Sequence, residues 1–204
     1  MADPPSAALT PPTDATTPGY EPGQLTVNTS TGRLAIVSTK GIKFRDPSVS
    51  VNTNSQVNAL GVGIEAEGTF RISTTIVNPN FPGSPGVGSQ QAGIWFGLNE
   101  NNYAKLVLVK VGATTVRAQL LVENYGNSPT GPLPVEINGP DITDPQSKPF
   151  TLIMEVDATT LAVTGFYQVD GGTETQITAG AVSSLAIPST FIAGVDHDSD
   201  ATTP

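Results

Sequence analysis

Hydrophobic and polar residues alternate along most of this chain, and a period of two is typical of β-strands. In "TFRISTTIV" (69–77), Phe70, Ile72 and Ile76 fall on one face, and mainly polar residues fall on the other. Similar runs are "LTVNTSTGRLAIVST" (25–39), "AGIWFGL" (92–98), "YAKLVLVKV" (103–111), "TVRAQLLVEN" (115–124), "FTLIMEV" (150–156), "LAVTGFYQV" (161–169) and "STFIAGV" (189–195). The helical period is almost absent, so the pattern predicts an all-β fold.

Turn-forming residues between these runs predict hairpins. A Ser-Thr-Gly turn interrupts 25–39, "NENN" joins 92–98 to 103–111, and "DATT" joins 150–156 to 161–169. The longest predicted loops are 78–90 and 124–149. Short strands at this spacing are typical of sandwiches and jelly rolls, so we expect an antiparallel β-sandwich of about 10–13 strands with negligible helix.

The ends of the chain have a different composition from its centre. Residues 1–18 are rich in Pro and Thr and predict a linker, residues 19–200 predict the sandwich, and 201–204 predict the start of a second linker. "DATTP" occurs at 14–18 and again at 200–204. This repetition indicates either a tandem array with shared linkers or a coincidence of composition, and the third "DATT" at 157–160 favours coincidence.

Composition excludes several classes of partner. With 9 Lys and Arg and a net charge of -9, the chain lacks the basic clusters that nucleic-acid binding requires. It has no cysteine, which excludes disulfides, thiol chemistry and Cys-based zinc sites. No apolar run approaches the roughly 20 residues of a membrane span, and no signal peptide is visible at the N-terminus. The acidic, Thr/Asn/Gly-rich balance is typical of bacterial extracellular or cell-surface proteins.

Two segments resemble a known superfamily. "QQAGIWFGLNENNYAKLVLV" (90–109) and "FTLIMEVDATTLAVTGFYQVDGG" (150–172) are similar to the concanavalin A-like lectin/glucanase superfamily, and more closely to laminin-G-like jelly-roll modules of bacterial extracellular proteins. The resemblance covers roughly residues 25–195 and implies a concanavalin A-like jelly roll. Those modules usually carry a further strand at each end, where this chain has Pro/Thr linker, so an open sheet edge or one completed by a neighbour is expected. The superfamily includes lectins, adhesion domains, glycosidases and spacers, so the resemblance leaves the ligand open.

The same resemblance raises the question of catalysis, because retaining glycosidases of this superfamily carry the pattern E-x-D-x-E on one strand. Here the positions hold Glu155, Asp157 and Thr159. A threonine hydroxyl cannot protonate a leaving group at neutral pH, so the general acid is missing. The chain has a single histidine, His197, and no Gly-x-Ser-x-Gly elbow that would supply the serine of a Ser-His-Asp triad. We therefore expect no enzyme activity.

Sugar binding needs an aromatic surface for the C–H side of the ring and amides or carboxylates for its hydroxyls. Trp95 is the only tryptophan, and alternation places it on the face opposite Ile94 and Phe96. Trp95 is either a ligand contact or a packing residue, and "NENN" either contributes amides or is simply a turn. The candidate ligand-binding residues are Trp95, Tyr103, Tyr125, Asn99, Glu100, Asn102, Glu155 and Asp157. Arg71 and Lys105 are predicted to be ordinary outward-facing charges.

"VDHDSDATT" places Asp196, Asp198 and Asp200 at alternate positions, which indicates either a calcium site or a solvated acidic loop. Calcium is the only cofactor that the sequence suggests, with Asp141 or Asp144 as a further ligand. Taken together, these patterns predict a non-catalytic extracellular module that recognises carbohydrate on a concave sheet face. The alternative is a structural or adhesive module that self-associates or joins tandem neighbours in a surface assembly.

Overall fold

The computed structural model describes residues 8–9, 25–36, 60–61, 64, 66–77, 79, 81, 90–99, 102–124, 134–145 and 148–193. Strands take 63% of these residues and helix takes 3%, which confirms the predicted all-β class. The strands in this part of the chain are β1 (Ala8–Leu9), β2 (Leu25–Asn28), β3 (Arg33–Ile36), β4 (Leu60–Gly61), β5 (Thr69–Ile76), β6 (Gln91–Asn99), β7 (Asn102–Lys110), β8 (Thr115–Asn124), β9 (Val135–Thr143), β10 (Phe150–Asp157), β11 (Ala162–Val169), β12 (Thr175–Gln176) and β13 (Leu185–Ala186), with one helical turn, α1 (Thr190–Ala193). No helix in these ranges is long and apolar enough to cross a membrane.

The chain divides into two compact units, and the smaller comprises Met1–Glu65, Asn99–Asn101 and Tyr125–Leu133. In this unit β1 pairs with β4, and β2 pairs with β3 in the predicted hairpin. The side chain of Asn28 shapes the turn by accepting hydrogen bonds from the backbone N–H groups of Ser30 and Thr31, both at 3.1 Å. Gly32 completes the turn at φ 63°, a backbone conformation that favours glycine.

The larger unit comprises Ala66–Leu98, Asn102–Asn124 and Pro134–Pro204 and forms an antiparallel sandwich, as predicted. Within the described residues, its first sheet has the order β6-β7-β8-β9 and is called the front sheet. Its second sheet, called the back sheet, has the order β12-β11-β10-β5, with β13 also paired to β11. The chain therefore passes from the back sheet to the front sheet after β5 and returns after β9.

The core lies between the two sheets and is built from alternate residues of long strands. The fully buried hydrophobic residues include Ala104, Leu106 and Leu108 of β7, Ala118 and Leu120 of β8, and Leu152, Met154 and Val156 of β10. Phe70 and Phe96 meet edge to face, with ring centroids 5.5 Å apart. The predicted face of β5 is therefore confirmed, because Phe70, Ile72 and Ile76 also pack against this core.

Two predicted elements differ from the structure. The predicted last strand at 189–195 is wrong for its described part, because α1 (Thr190–Ala193) forms a helical turn there. Backbone hydrogen bonds from Phe191 to Pro188 and from Ile192 to Ser189 close this turn locally. The predicted loop at 124–149 is also wrong in part, because it contains β9 (Val135–Thr143).

Close packing of β6 on β7 fixes the register at the edge of the front sheet. A Cβ atom added to Gly97 would lie 2.6 Å from the Cα of Tyr103, and one added to Gly93 would lie 2.7 Å from the Cα of Val107. Gly97 also has φ 153°, which other residues rarely adopt. Gly97 thus lies against Tyr103, and Gly93 lies against Val107. Trp95 is midway between the two glycines in β6 and therefore lies opposite Lys105, which is midway between their partners in β7.

Candidate functional site

The face of the front sheet that points away from the back sheet, its outer face, carries a series of polar side chains. Even-numbered residues of β7 and β8 are in the core, so alternation directs Tyr103, Lys105, Gln119 and Glu123 to the outer face. Strand pairing places Tyr103 opposite Glu123, and Gln119 opposite Asn138 of β9. The antiparallel register thus brings together residues that are far apart in sequence.

Gln119 of β8 forms an amide–carboxylate triad with Glu136 and Asn138 of β9. The Nε2 of Gln119 donates to Glu136 Oε2 at 3.1 Å and to Asn138 Oδ1 at 2.9 Å. The Nδ2 of Asn138 donates to Glu136 Oε1 at 2.9 Å. Glu136 is exposed and the two amides are half-buried, so the triad meets solvent in a fixed arrangement.

Beside the triad, Tyr103 and Glu123 form a buried polar pair. Both residues have 0% of their surface exposed, and the Tyr103 hydroxyl donates to Glu123 Oε2 at 3.0 Å. Burial, with the added effects of the Glu123 charge and of this hydrogen bond, raises the pKa of Tyr103 far above its ordinary value. Tyr103 is therefore a permanent hydrogen-bond donor at physiological pH.

Lys105 is also buried, with 2% of its surface exposed, and its Nζ donates to Gln91 Oε1 at 2.8 Å. Its ammonium lies 5.9 Å from the centroid of the Tyr103 ring. Burial lowers the pKa of Lys105 to about 8, although the charges of Glu123 and Glu136 act in the opposite direction. The prediction of an ordinary outward-facing charge is therefore wrong for Lys105, because its ammonium turns back onto the sheet toward Gln91.

Trp95 is half-buried on the same outer face, at the β6 edge of the front sheet. Its neighbours Ile94 and Phe96 pack against the core, as the alternation predicted. Lys105 lies opposite Leu121, and Leu121 lies opposite Glu136. A row of four residues therefore crosses the sheet, with Trp95 at one end and Glu136 at the other. Three strand spacings place the backbones of these two residues about 14 Å apart.

No protein-family model, curated protein or solved structure matches this chain. The geometry of its own residues is therefore the basis for a functional assignment.

Glu155 and Asp157 lie on the outer face of the back sheet, on the opposite side of the sandwich from Trp95. Glu155 Oε2 is 3.0 Å from the Nε of Arg71, whose side chain is 43% exposed, which confirms the prediction of an outward-facing charge for Arg71. Asp157 ends β10, and its Oδ1 accepts hydrogen bonds from the backbone N–H groups of Thr159 and Thr160 at 2.8 and 2.9 Å. Hydrogen bonds from Thr160 and then Thr159 lower the pKa of Asp157. These two carboxylates hold structural contacts.

The other sequence candidates are separate from both outer faces or lie outside the described residues. Asn102 begins β7, half-buried and opposite Asn124, and Asn99 is the last residue of β6. Glu100, Tyr125, Asp196, Asp198 and Asp200 lie outside the described residues. Of the two further acids suggested for calcium, Asp141 pairs with Arg117, with Oδ1 2.7 Å from NH2, and Asp144 follows β9 at φ 52°.

The triad was not among the sequence candidates. Alternation in "TVRAQLLVEN" placed Gln119 on the face opposite the core, which was a usable signal. Glu136 and Asn138 gave no such signal, because their strand was interpreted as part of a loop. Only the pairing of β8 with β9 shows that the three side chains meet.

Proposed function

We propose that this chain is a non-catalytic binding module that recognises carbohydrate on the outer face of the front sheet. The observation that carries the proposal is the amide–carboxylate triad, which meets solvent on the same face as Trp95. Amides and carboxylates suit the hydroxyls of a sugar, and an indole ring suits its C–H face. Between Trp95 and Glu136, Lys105 and Leu121 expose only 2% and 0% of their surfaces, so Trp95 and the triad are two separate contact points on this face.

A non-catalytic role is supported by the contacts of the acids on both faces. Glu155 is paired with Arg71, and Asp157 caps the turn after β10. On the front sheet, Glu123 is fully buried against Tyr103. Glycoside hydrolysis needs one carboxylate and one carboxylic acid flanking the same bond, and these acids have structural partners instead.

The resemblance in the sequence supports a concanavalin A-like jelly roll of an extracellular or cell-surface protein as the setting for this module. The sandwich of the larger unit is compatible with that proposal, since its core lies between two antiparallel sheets. A calcium site at Asp196, Asp198 and Asp200 remains a separate proposal of the sequence.

The test is affinity electrophoresis of the chain in gels that contain soluble polysaccharides. We expect retardation of the wild type that is lost in Trp95→Ala and Gln119→Ala, with folding checked by far-UV circular dichroism. The matched control is Thr75→Ala, whose hydroxyl lies on the outer face of the back sheet, 2.9 Å from that of Thr151. Equal retardation of all four proteins would contradict recognition by the front sheet.

The exposed apolar face of the β2–β3 hairpin favours a second candidate, a structural or adhesive module. Val27, Leu34 and Ile36 expose 63%, 45% and 45% of their surfaces, and register places Val27 directly opposite Leu34. Clustered apolar side chains at a surface are a common feature of protein interfaces. Sedimentation velocity should then show concentration-dependent association that Val27→Asn weakens and Thr31→Asn does not. A wild type that stays monomeric over the accessible concentrations argues against this candidate.

A further inference from the structure

The internal hydrogen bonds of the triad use most of its N–H groups. Both N–H bonds of the Gln119 amide are engaged, one with Glu136 and one with Asn138. One N–H bond of the Asn138 amide is engaged with the other oxygen of Glu136. Because an ionised carboxylate only accepts hydrogen bonds, the two amides must turn their nitrogens toward Glu136.

What the triad offers to a ligand is therefore mainly oxygen. The carboxylate of Glu136 keeps lone pairs beyond the two that its amide partners use, and the carbonyl oxygen of Gln119 points away from its own N–H groups. Glu136 is exposed, so these acceptors lie where a ligand would arrive. Such a surface suits a partner that donates hydrogen bonds.

Among the described residues, the two cations of this face, Lys105 and Arg117, are already engaged. The Nε and NH2 of Arg117 lie 2.8 and 2.7 Å from Asp141 Oδ1. The ammonium of Lys105 is buried against Gln91. The whole chain has a net charge of -9, so the long-range field also disfavours an anionic ligand.

We infer that the triad on the outer face of the front sheet selects uncharged, hydroxyl-rich saccharides and excludes polysaccharides that carry carboxylate or sulfate groups. This inference rests on the carbohydrate recognition proposed above and names its ligand class. Sugar hydroxyls donate to Glu136 and to the carbonyl oxygen of Gln119. A carboxylate or sulfate group on the ligand would instead place hydrogen-bond acceptors and negative charge against these oxygens. This repulsion would disfavour acidic polysaccharides and so contribute to specificity.

The experiment compares the retardation of the full chain in gels that contain a neutral β-glucan, a polyuronate or a sulfated galactan, at low ionic strength so that charge effects are not screened. Wild type should be retarded by the neutral polymer and not by the two acidic polymers. Glu136→Gln should weaken neutral binding about tenfold, the equivalent of one charge-assisted hydrogen bond. Glu155→Gln makes the same charge change on the back sheet and should leave retardation as in the wild type.

The outcomes separate this inference from the function on which it rests. Retardation by an acidic polymer that equals or exceeds that by the neutral polymer overturns the inference and leaves carbohydrate binding in place. Neutral binding that Glu136→Gln and Glu155→Gln reduce equally overturns the role of the triad. If none of the three polymers retards the chain, both proposals fail.

Discussion

Lys105 provides the sharpest test of the buried polar cluster on the front sheet, because the residue is charged and has only 2% of its surface exposed. Lys105→Met removes the charge and keeps an unbranched apolar chain of similar reach. Burial lowers the pKa of Lys105 from the ordinary 10.5 to about 8. Since the burial penalty applies to the protonated form, we predict that the wild type gains stability as the pH rises.

The sign follows from proton binding in the two states. Below pH 8 both the folded and the unfolded chain hold the Lys105 proton, so the penalty is present in full. Between pH 8 and 10.5 the folded chain releases this proton while the unfolded chain keeps it, so the free energy of unfolding rises with pH. The raised pKa of Tyr103 acts oppositely above its ordinary value of 10.0, because only the unfolded chain then loses the phenolic proton.

The magnitude is large enough to measure. At about 1.36 kcal/mol per pKa unit, the Lys105 shift lowers the free energy of unfolding by roughly 3 kcal/mol at neutral pH, and most of this should be recovered between roughly pH 7 and pH 10. Urea unfolding, followed by circular dichroism at several pH values, gives the wild-type curve and the Lys105→Met curve. Over this pH range the free energy of unfolding of the wild type should rise relative to that of Lys105→Met by about that amount.

The control is Lys148→Met, which removes an exposed lysine and should give a curve parallel to that of the wild type. Lys105→Met also removes the hydrogen-bond donor of Gln91, which adds a pH-independent difference to the pH-dependent one. Parallel curves for Lys105→Met and wild type would refute the reasoning, since the Lys105 proton would then bind equally in both states.

Three further predictions concern the core, the β10–β11 turn and calcium. In Gly165→Ala the new Cβ would lie 3.1 Å from Leu106 Cδ1 and 3.2 Å from Ile177 Cδ1. Chemical denaturation should therefore show that overpacking lowers the free energy of unfolding by about 1–3 kcal/mol. A loss no larger than that of the outward-facing Thr164→Ala would contradict this prediction. Asp157→Ala should lower the melting temperature at neutral pH by removing the acceptor for the turn. Because hydrogen bonds lower the Asp157 pKa, the difference should disappear in acid as the wild-type carboxylate is protonated, and a difference that persists there argues against this account. Calcium should raise the melting temperature, and both EDTA and Asp198→Asn should remove the rise; no rise at millimolar calcium would exclude the site proposed from the sequence.

Alternation along the sequence predicted the long strands of both sheets except β9. The inward positions of β5 are apolar except for Thr74, and those of β10 are all apolar, so alternation alone gave the core residues Phe70, Ile72, Leu152 and Met154. Strand β9 was missed because Gly139–Pro140 interrupts its middle, and such residues are typical of turns. The structure tolerates them beside a register shift between Arg117 and Gln119 on the paired strand.

The candidate site was only partly predictable, for a similar reason. Alternation gives the face on which a side chain lies, so the position of Trp95 was predicted. It does not give the depth of cover, so Lys105 was expected to be outside and is buried. It also does not give pairing, and the triad depends on the register of Gln119 against Asn138. The two acids of β10 drew attention through resemblance, although the structure places them on the other side of the sandwich.

The glycines that let β6 approach β7 also shape the surface around the tryptophan. Gly93 and Gly97 are the residues two before and two after Trp95, so they share its side of the sheet and contribute no side chain. Within β6, the indole is therefore flanked on its side of the sheet by two residues that have no side chain. A linear polymer that contacts the indole and runs along β6 would not meet a side chain at either neighbouring position on this side of the strand. A test of the proposed carbohydrate recognition should therefore include long unbranched chains as well as short oligosaccharides.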